Sequence, residues 1–574
     1  MKVLGVGCPL EWGFQHDASA ALLVDGRIVA AVEEERFTRR KKAWGQWPIQ
    51  SVRYCLEAGG LRAADVDVIA FGFSPASFRR LGKAAFREAA PRRPIKALRR
   101  LLRDYRHARK LGDLQGRIVR ACGLDPETEV VAVDHHVAHA ASSVLFSGFA
   151  DTAYLTVDGG GEIATATAGE AHGGRFETIA EITRPHSLGL YYQTMTDYLG
   201  FEPNDGEYKL MGMAPYGDTT AADVSPVLQF GDGRFTVNRL LCFPRRRLRW
   251  AEGRYFGKGM VDLYGPPREG DGLDARHANV AAAVQARLEA AVHHLVDHHL
   301  GPSLARCGGR LCFAGGVALN VTLNRRLLER GDVTALYVQP AAGDAGVPLG
   351  AAAHVAARRG DVVEPMTHAY YGPEYTDAEI HRALEARKVE HRVLASTDET
   401  IRTSADLLAA GQVLAWFQGR VEFGPRALGN RSILGHPGRP GIRDEINAAI
   451  KFRERWRPFC PSILAEDAPA ILGTEHPTPF MNLSFVVADG WKARIPEVVH
   501  VDGSVRPQAV TREANPLYHD LIRAFKERTG VPVLLNTSLN RRGEPMVGSP
   551  DDALAMFLES GLERLVMGRY LVLK

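Results

Sequence analysis

The chain has 574 residues, 71 Lys and Arg against 67 Asp and Glu for a formal charge of +4, and is 45% apolar and 24% charged. Its length exceeds what one hydrophobic core fills and predicts two domains, while the composition excludes a disordered chain. The start "MKVLGVGCPLEWG" lacks an apolar core of signal-peptide length, and no run of about 18 uncharged apolar residues follows. A cytoplasmic protein with no membrane segment is therefore expected. Cys8, Cys55, Cys122, Cys242, Cys307, Cys312 and Cys460 are scattered without a CxxC pair, so they are read as reduced and structural.

In chain order, Lys2 to Gly7 predicts a buried strand, and "AALLVDGRIVAAVEEE" predicts two strands joined by a tight turn at Asp25-Gly26. Next comes a basic stretch, Arg79 to Arg120, with fifteen Lys or Arg against Glu88, Asp104 and Asp113, a local +12 that leaves −8 for the rest. Leu98, Leu101, Leu102, Tyr105 and Leu111 recur near helical spacing, so the stretch is expected to form amphipathic helices with a solvated charged face. "AYLTVDGGGEIATATAGEAHGGRFETIAEI" then repeats the opening order of strand, polar tip and hairpin. Two such halves predict an internally duplicated α/β domain with a nucleotide cleft between them, the plan of actin and the sugar kinases. His277 to Leu300 predicts a long helix, "RLCFAGGVALNVTLNRRLLER" a strand, glycine turn and helix, and "ALYVQP" a strand whose loop "AAGDAG" enters another helix. The domain boundary is expected near 360 to 375, giving domains 1–365 and 375–574. The second opens with the capped amphipathic helix of "TDAEIHRALEARKV" and continues into strands such as "QVLAWFQG" and "VPVLLN".

Several stretches carry chemistry. If "HHVAHAASSVLF" is helical, His135 and His139 project from one face in bidentate ligand geometry, whereas His136 points away as a core or supporting residue. Asp158, ending the strand "YLTVD" before Gly159, and Asp344 in "AAGDAG" sit where a carboxylate faces a cleft. Two imidazoles and two carboxylates without thiolates suit iron(II), manganese or zinc. Gly315 and Gly316 lack side chains and would let a ribose or phosphate approach the backbone, and Lys209 in "GEYKLMGMAPYG" could neutralise a phosphate. Arg39, Arg40, Lys41 and Lys42 follow a predicted strand. In the second domain Arg420, Arg426 and Arg431, then Lys451, Arg453, Arg455 and Arg457, then Arg506, stand among glycine, proline and aromatic residues, with Asn536, Thr537 and Ser538 at a strand end. That mixture reads as an anion pocket.

Taken in order, "FQHDASAALLVDGRIVAAVEEERFTRRKK", "DHHVAHAASS", "TVDGGGE", "KLMGMAPYG", "FAGGVALN", "GDAGVPLGAA", "GPRALGNRSI", "KFRERWRPFCPS" and "LLNTSLNRRGEP" resemble the nodulation, cephamycin and tobramycin O-carbamoyltransferases over nearly the whole chain. The resemblance implies an N-terminal actin-like ATPase domain of the threonylcarbamoyl-transferase kind and a C-terminal YrdC-like α/β domain. It implies that carbamoyl phosphate and ATP, with magnesium, give carbamoyl-adenylate in the second domain, and that the first passes the carbamoyl group to a hydroxyl of a small natural product such as a macrolide, ansamycin or aminoglycoside. The implied positions are His135, His139, Asp158 and Asp344 for the metal, iron(II) before manganese or zinc. Lys41, Gly159, Lys209, Gly315, Gly316 and Asn320 are implied for the adenylate, and Arg426, Lys451, Arg457, Arg506, Asn536 and Ser538 for carbamoyl phosphate and ATP. His16 is placed beside the acceptor hydroxyl as base, since an imidazole of ordinary pKa about 6.5 suits that proton, with Asp17 orienting it. A homodimer is allowed and nucleic acid disfavoured. The alternative, a threonylcarbamoyl-type tRNA-modifying enzyme, would use the basic stretch and bind tRNA with steep salt dependence.

Overall fold

In the computed structural model, residues 1–7, 16–91, 94–249, 251–451, 453–454 and 456–574 are described; Cys8 and Arg455 lie outside them, as does the side chain of Leu111. Two compact units form, Met1–Glu34 with Ala43–Met366, and Glu35–Lys42 with Thr367–Lys574.

The first unit is built on two sheets. One contains β1 (Lys2–Val6), β2 (Ser19–Val24), β3 (Arg27–Glu33), β4 (Val68–Phe71) and β5 (Glu129–Ala132) in the order β3-β2-β1-β4-β5. The second half supplies β6 (Asp151–Val157), β7 (Ala164–His172) and β8 (Arg175–Thr183), a separate hairpin of β9 (Leu228–Gly231) and β10 (Arg234–Val237), then β11 (Arg310–Ala314) and β12 (Ala335–Val338). Its sheet runs β12-β11-β6-β7-β8. Counted within each half, both sheets have the order 3-2-1-4-5, with antiparallel pairs among the first three strands and parallel pairs from the first to the fourth and the fourth to the fifth. The duplication extends to the hairpins: Asp25-Gly26 and Gly173-Gly174 turn with positive φ at both positions, the backbone that matches strand twist. This is the duplicated α/β plan of the actin-like ATPases.

Parallel strands need crossover helices on the sheet faces, and two of these position the site. The helix His135–Val144 follows β5, and the helix Val347–Arg358 follows β12. They pack so closely that a Cβ on Gly350 would lie 1.9 Å from the carbonyl oxygen of Ala138, so only glycine permits this contact. The chain entering the second helix thereby brings Asp344 to the N-terminal turn of the first.

The basic stretch forms the helices Pro75–Ala89 and Pro94–Cys122, but its apolar face is not the one expected. Leu98, Leu102 and Tyr105 are 49%, 48% and 61% exposed, while Ala97, Asp104 and Ala108 face the protein. Apolar periodicity identified the helix and not its inward side, because small alanines beside a paired aspartate fill the narrow inner face.

The second unit carries β13 (His391–Val393), β14 (Leu414–Phe417), β15 (Arg431–Gly435), β16 (Cys460–Leu464), β17 (Phe485–Val486), β18 (Ser504–Val505), β19 (Gln508–Val510), β20 (Val533–Ser538), β21 (Arg564–Met567) and β22 (Tyr570–Leu573). Eight of them form a sheet in the order β13-β22-β21-β14-β15-β20-β16-β19, and β17 pairs with β18. Its opening helix, Asp377–Ala386, is capped by Thr376 and Glu379 reciprocally, as the motif predicts. The segment 35–42 belongs to this unit because buried Arg36 donates to the Gly424 carbonyl at 2.7 Å, and Arg39 to those of Met546 and Pro545 at 2.6 and 2.8 Å.

Candidate active site

His135 and His139 stand one turn apart on a buried helix, and their Nε2 atoms lie 3.1 Å from each other. Asp344 Oδ1 is 3.6 Å from both Nε2 atoms, and Asp158 Oδ2 is 3.7 Å from that of His135. All four ligand atoms fall within 4.8 Å of one another. An ion bound at about 2.1 Å holds neighbouring ligand atoms roughly 3.0–3.4 Å apart. The imidazoles are already at that spacing and the shortest carboxylate approaches, 3.6 and 3.7 Å, lie a few tenths of an ångström outside it, so side-chain adjustment lets the donor set fit a divalent ion.

The surroundings orient these ligands. His135 Nδ1 lies 3.2 Å from the Gly72 carbonyl oxygen, which places the ring proton there and leaves the Nε2 lone pair facing the site. Asp158 accepts the Gly160 N–H on Oδ2 at 3.0 Å and the Gly316 N–H on Oδ1 at 2.8 Å. The buried Glu162 accepts the backbone N–H of Ser74 at 2.6 Å and that of His135 at 3.2 Å, holding the start of the ligand helix. Burial pulls the His135 pKa down, but Asp158, Asp344 and Glu162 outweigh it and raise it to about 9. Burial opposes ionisation of Asp158 as well, yet its histidine neighbours hold it well below the usual carboxylate range. Burial pushes Glu162 up to about 7. His136, pushed down to about 3 by burial and its histidine neighbours, is spent on Thr156 Oγ1 at 2.7 Å and the Ala164 carbonyl at 3.0 Å. It is the supporting residue its spacing indicates.

His135 and Asp344 line a cavity of about 340 Å³ that also exposes His16 and Asp17. His16 Nδ1 is 2.8 Å from Asp17 Oδ2, and Trp44 meets the His16 ring edge-on at 5.1 Å between centroids. Asp17 holds a left-handed φ of 63°, uncommon outside glycine. An imidazole tied at Nδ1 to a carboxylate presents Nε2 as a base. Arg100, Arg103 and Asp104 of the basic helix line the same cavity.

The other first-unit candidates divide. Gly159 has open space where a side chain would be. Gly315, at φ 93°, lies against the backbone of Val157, and the Gly316 N–H holds Asp158, so both shape the strand end that carries this carboxylate. Asn320 caps the helix Val321–Leu328 by accepting the Leu323 N–H at 3.0 Å and pairs with Gln285 through both amide atoms at 2.9 and 3.1 Å. Lys209 lies over the Phe201 ring, 5.5 Å from its centroid. Lys41 belongs to the second unit.

In the second unit Lys451 and Ser538 meet, while the Asn536 amide is held by the Ala427 carbonyl and Ser462 Oγ. The Lys451 ammonium donates to the Ser538 carbonyl at 2.5 Å and to Asn540 Oδ1 at 2.6 Å. Burial, and then Arg453, Arg457 and Lys41 nearby, hold its pKa well below the ordinary lysine value. Asn536 sits on β20 opposite Cys460 of β16, and Arg506 donates to the Cys460 sulfur at 2.9 and 3.2 Å. Arg457 donates to Glu454 at 3.2 Å, and Arg426 is partly buried in the turn between β14 and β15. Arg420 and Arg431 spend guanidinium hydrogen bonds on backbone carbonyls. Arg420 bonds the Gly372 and Tyr371 carbonyls, and Arg431 is fully buried against Phe417 and bonds the Gln418 carbonyl.

Family models match the carbamoyltransferase N-terminus over residues 4–353 and the carbamoyltransferase C-terminus over residues 405–574. An uncharacterized protein of Synechocystis is 37% identical, the match covering 98% of this chain and 95% of its own. Nodulation protein NolNO of Sinorhizobium fredii is also 37% identical, over 98% of this chain and 79% of its own. A solved ROK hexokinase of Thermus thermophilus covers 62% of this chain and 98% of its own at 17% identity and a TM-score of 0.28.

Proposed function

Since the chain belongs to the carbamoyltransferase family and is a transferase, we propose that it is an ATP-dependent O-carbamoyltransferase acting in two half-reactions on a small hydroxylated acceptor. The observation that carries this reading is the shared cavity of the first unit, where the His16–Asp17 pair and the metal ligands His135 and Asp344 line one space. A base and an ion site beside one cavity are what acyl transfer to a hydroxyl requires.

In the first half-reaction the second unit activates the donor. Carbamoyl phosphate and ATP are polyanions, and the Lys451 cluster offers clustered cations whose mutual repulsion an anion relieves. Atom balance requires one water: carbamoyl phosphate loses phosphate to give carbamate, whose oxygen attacks the α-phosphorus of ATP and releases pyrophosphate. Lys451, Arg457, Arg506, Arg426, Asn536 and Ser538 are assigned to holding these anions.

In the second half-reaction the acceptor oxygen attacks the carbamoyl carbon and AMP departs. His16 takes the hydroxyl proton through Nε2 while Asp17 fixes its orientation from Nδ1. His135, His139, Asp158 and Asp344 would hold a divalent ion, which supplies Lewis acidity toward the donor's phosphate oxygens. Gly159, with open space above it, lets the adenylate approach the backbone. Among the described residues no helix is long and apolar enough to cross a membrane.

The test is to incubate the protein with carbamoyl phosphate, ATP and a panel of hydroxylated natural products. Pyrophosphate release that depends on carbamoyl phosphate, with a product heavier by one carbamoyl unit, is expected. No pyrophosphate and no product would reject the reading.

A further inference from the structure

The cavity that holds His16 is not electrically neutral at its accessible surface. Four guanidiniums line it: Arg100 and Arg103 from the basic helix, Arg184 and Arg239 from later loops. Arg103 is the most open of the helix pair, its side chain 62% exposed against 27% for Arg100.

Four carboxylates line the same space, and each is withdrawn from it. Asp344 faces the metal ligands, and Asp17 is bonded to His16. Glu162 is 3% exposed and accepts two backbone N–H groups. Asp104 is 4% exposed, beneath Arg100 and Arg103 at 3.8 and 3.4 Å. Arg100 is as covered as Asp344 and donates to the Arg184 carbonyl at 2.7 Å, and Arg184 donates to the Gly160 and Gly161 carbonyls at 3.0 and 2.7 Å, so Arg103 and Arg239 form the accessible rim. Arg100 and Arg103 belong to the stretch Arg79 to Arg120, whose net charge is +12, and a field of that sign concentrates anions nearby.

We infer that this cavity admits a hydroxylated acceptor bearing a negatively charged group, a carboxylate, sulfate or phosphate, which the rim arginines grip while its hydroxyl reaches His16. The inference rests on reading the cavity as the acceptor site. It makes Arg103 and Arg239 specificity-determining residues and gives the basic stretch a role. The same arginines could instead serve the phosphate of AMP, so the test separates the two sources of anion.

The probe is D-glucuronate, with D-glucose as its neutral counterpart, titrated calorimetrically into the full chain at low ionic strength, without and with saturating ATP. Glucuronate should bind at least about tenfold more tightly than glucose, as one charge-assisted contact allows, and ATP should leave its affinity unchanged. Arg103→Glu and, separately, Arg239→Ala should each weaken glucuronate about tenfold or more. Arg109→Glu, an equally exposed change on the same helix away from the cavity, should not. Equal affinity for the two sugars, displacement of glucuronate by ATP, or an equal loss in Arg109→Glu would each overturn the inference. Pyrophosphate release by the wild-type preparation is measured in parallel; its absence would reject the two-step function, whereas the sugar titration speaks to the rim alone.

Discussion

Replacing Gly315 by alanine should damage the first unit's fold and its ion site together, while the same change at Gly159 should spare the fold. Both glycines look alike in the sequence, each beside a strand end in a glycine run. At Gly315 the backbone has φ 93°, and a Cβ would lie 2.3 Å from the Val157 carbonyl oxygen and 2.7 Å from its carbon. Relief requires moving the end of β11 away from β6, because the obstacle is backbone. The next residue, Gly316, holds Asp158 through its N–H at 2.8 Å, so the movement reaches a ligand carboxylate. The backbone at φ 93°, ψ 162°, which essentially only glycine adopts, costs alanine about 1–3 kcal/mol, and overpacking about 1–3 more. At about 2 °C per kcal/mol for a unit this large, the melting temperature should fall roughly 4–12 °C. Gly159 has nothing within 4 Å of its would-be Cβ. Circular-dichroism melting of both variants, with chelator competition for Mn²⁺, reads both effects. The reasoning fails if Gly315→Ala melts with the wild type, or if Gly159→Ala falls as far.

The remaining predictions concern charge. His135, raised to about 9 by its carboxylate neighbours against the pull of burial, carries a proton at neutral pH in the ion-free protein, and an ion must displace it. Ion affinity should therefore rise about tenfold per unit between pH 7 and 8, measured by chelator competition; a flat profile contradicts the site. Asp344→Asn removes a carboxylate facing both imidazoles and should weaken the ion at least about tenfold while the chain stays folded by circular dichroism. Lys451, depressed by burial and neighbouring cations, binds its proton more weakly folded than unfolded. Stability should accordingly rise with pH through the window ending at the unfolded value near 10.5, and Lys451→Met should flatten that rise in pH-dependent denaturation.

The first hairpin announced itself through Asp25-Gly26, since a two-residue turn demands such residue types, and the second through its repeated strand, polar tip and hairpin; the strand order of each half came from the fold. His135, His139, Asp158 and Asp344 were legible because a helical spacing of four and strand-end carboxylates are local signals, and the structure brings those four together. What escaped was set by tertiary packing. Nothing local says that Asn320 caps a helix and pairs with Gln285, that Arg431 is core, or that segment 35–42 joins the second unit. Glu162 stood at the end of "TVDGGGE", and a carboxylate closing a glycine run was the available signal for it. The outward turn of Leu98, Leu102 and Tyr105 was hidden because periodicity defines a stripe without saying which stripe is buried.

The account stands on a division of labour between two sites, and carbamoyl phosphate-dependent exchange of labelled pyrophosphate into ATP measures it most directly. Exchange should persist in His16→Asn, which loses only carbamoyl transfer, and should vanish in Lys451→Met. Loss of exchange in His16→Asn, or its survival in Lys451→Met, would contradict the division.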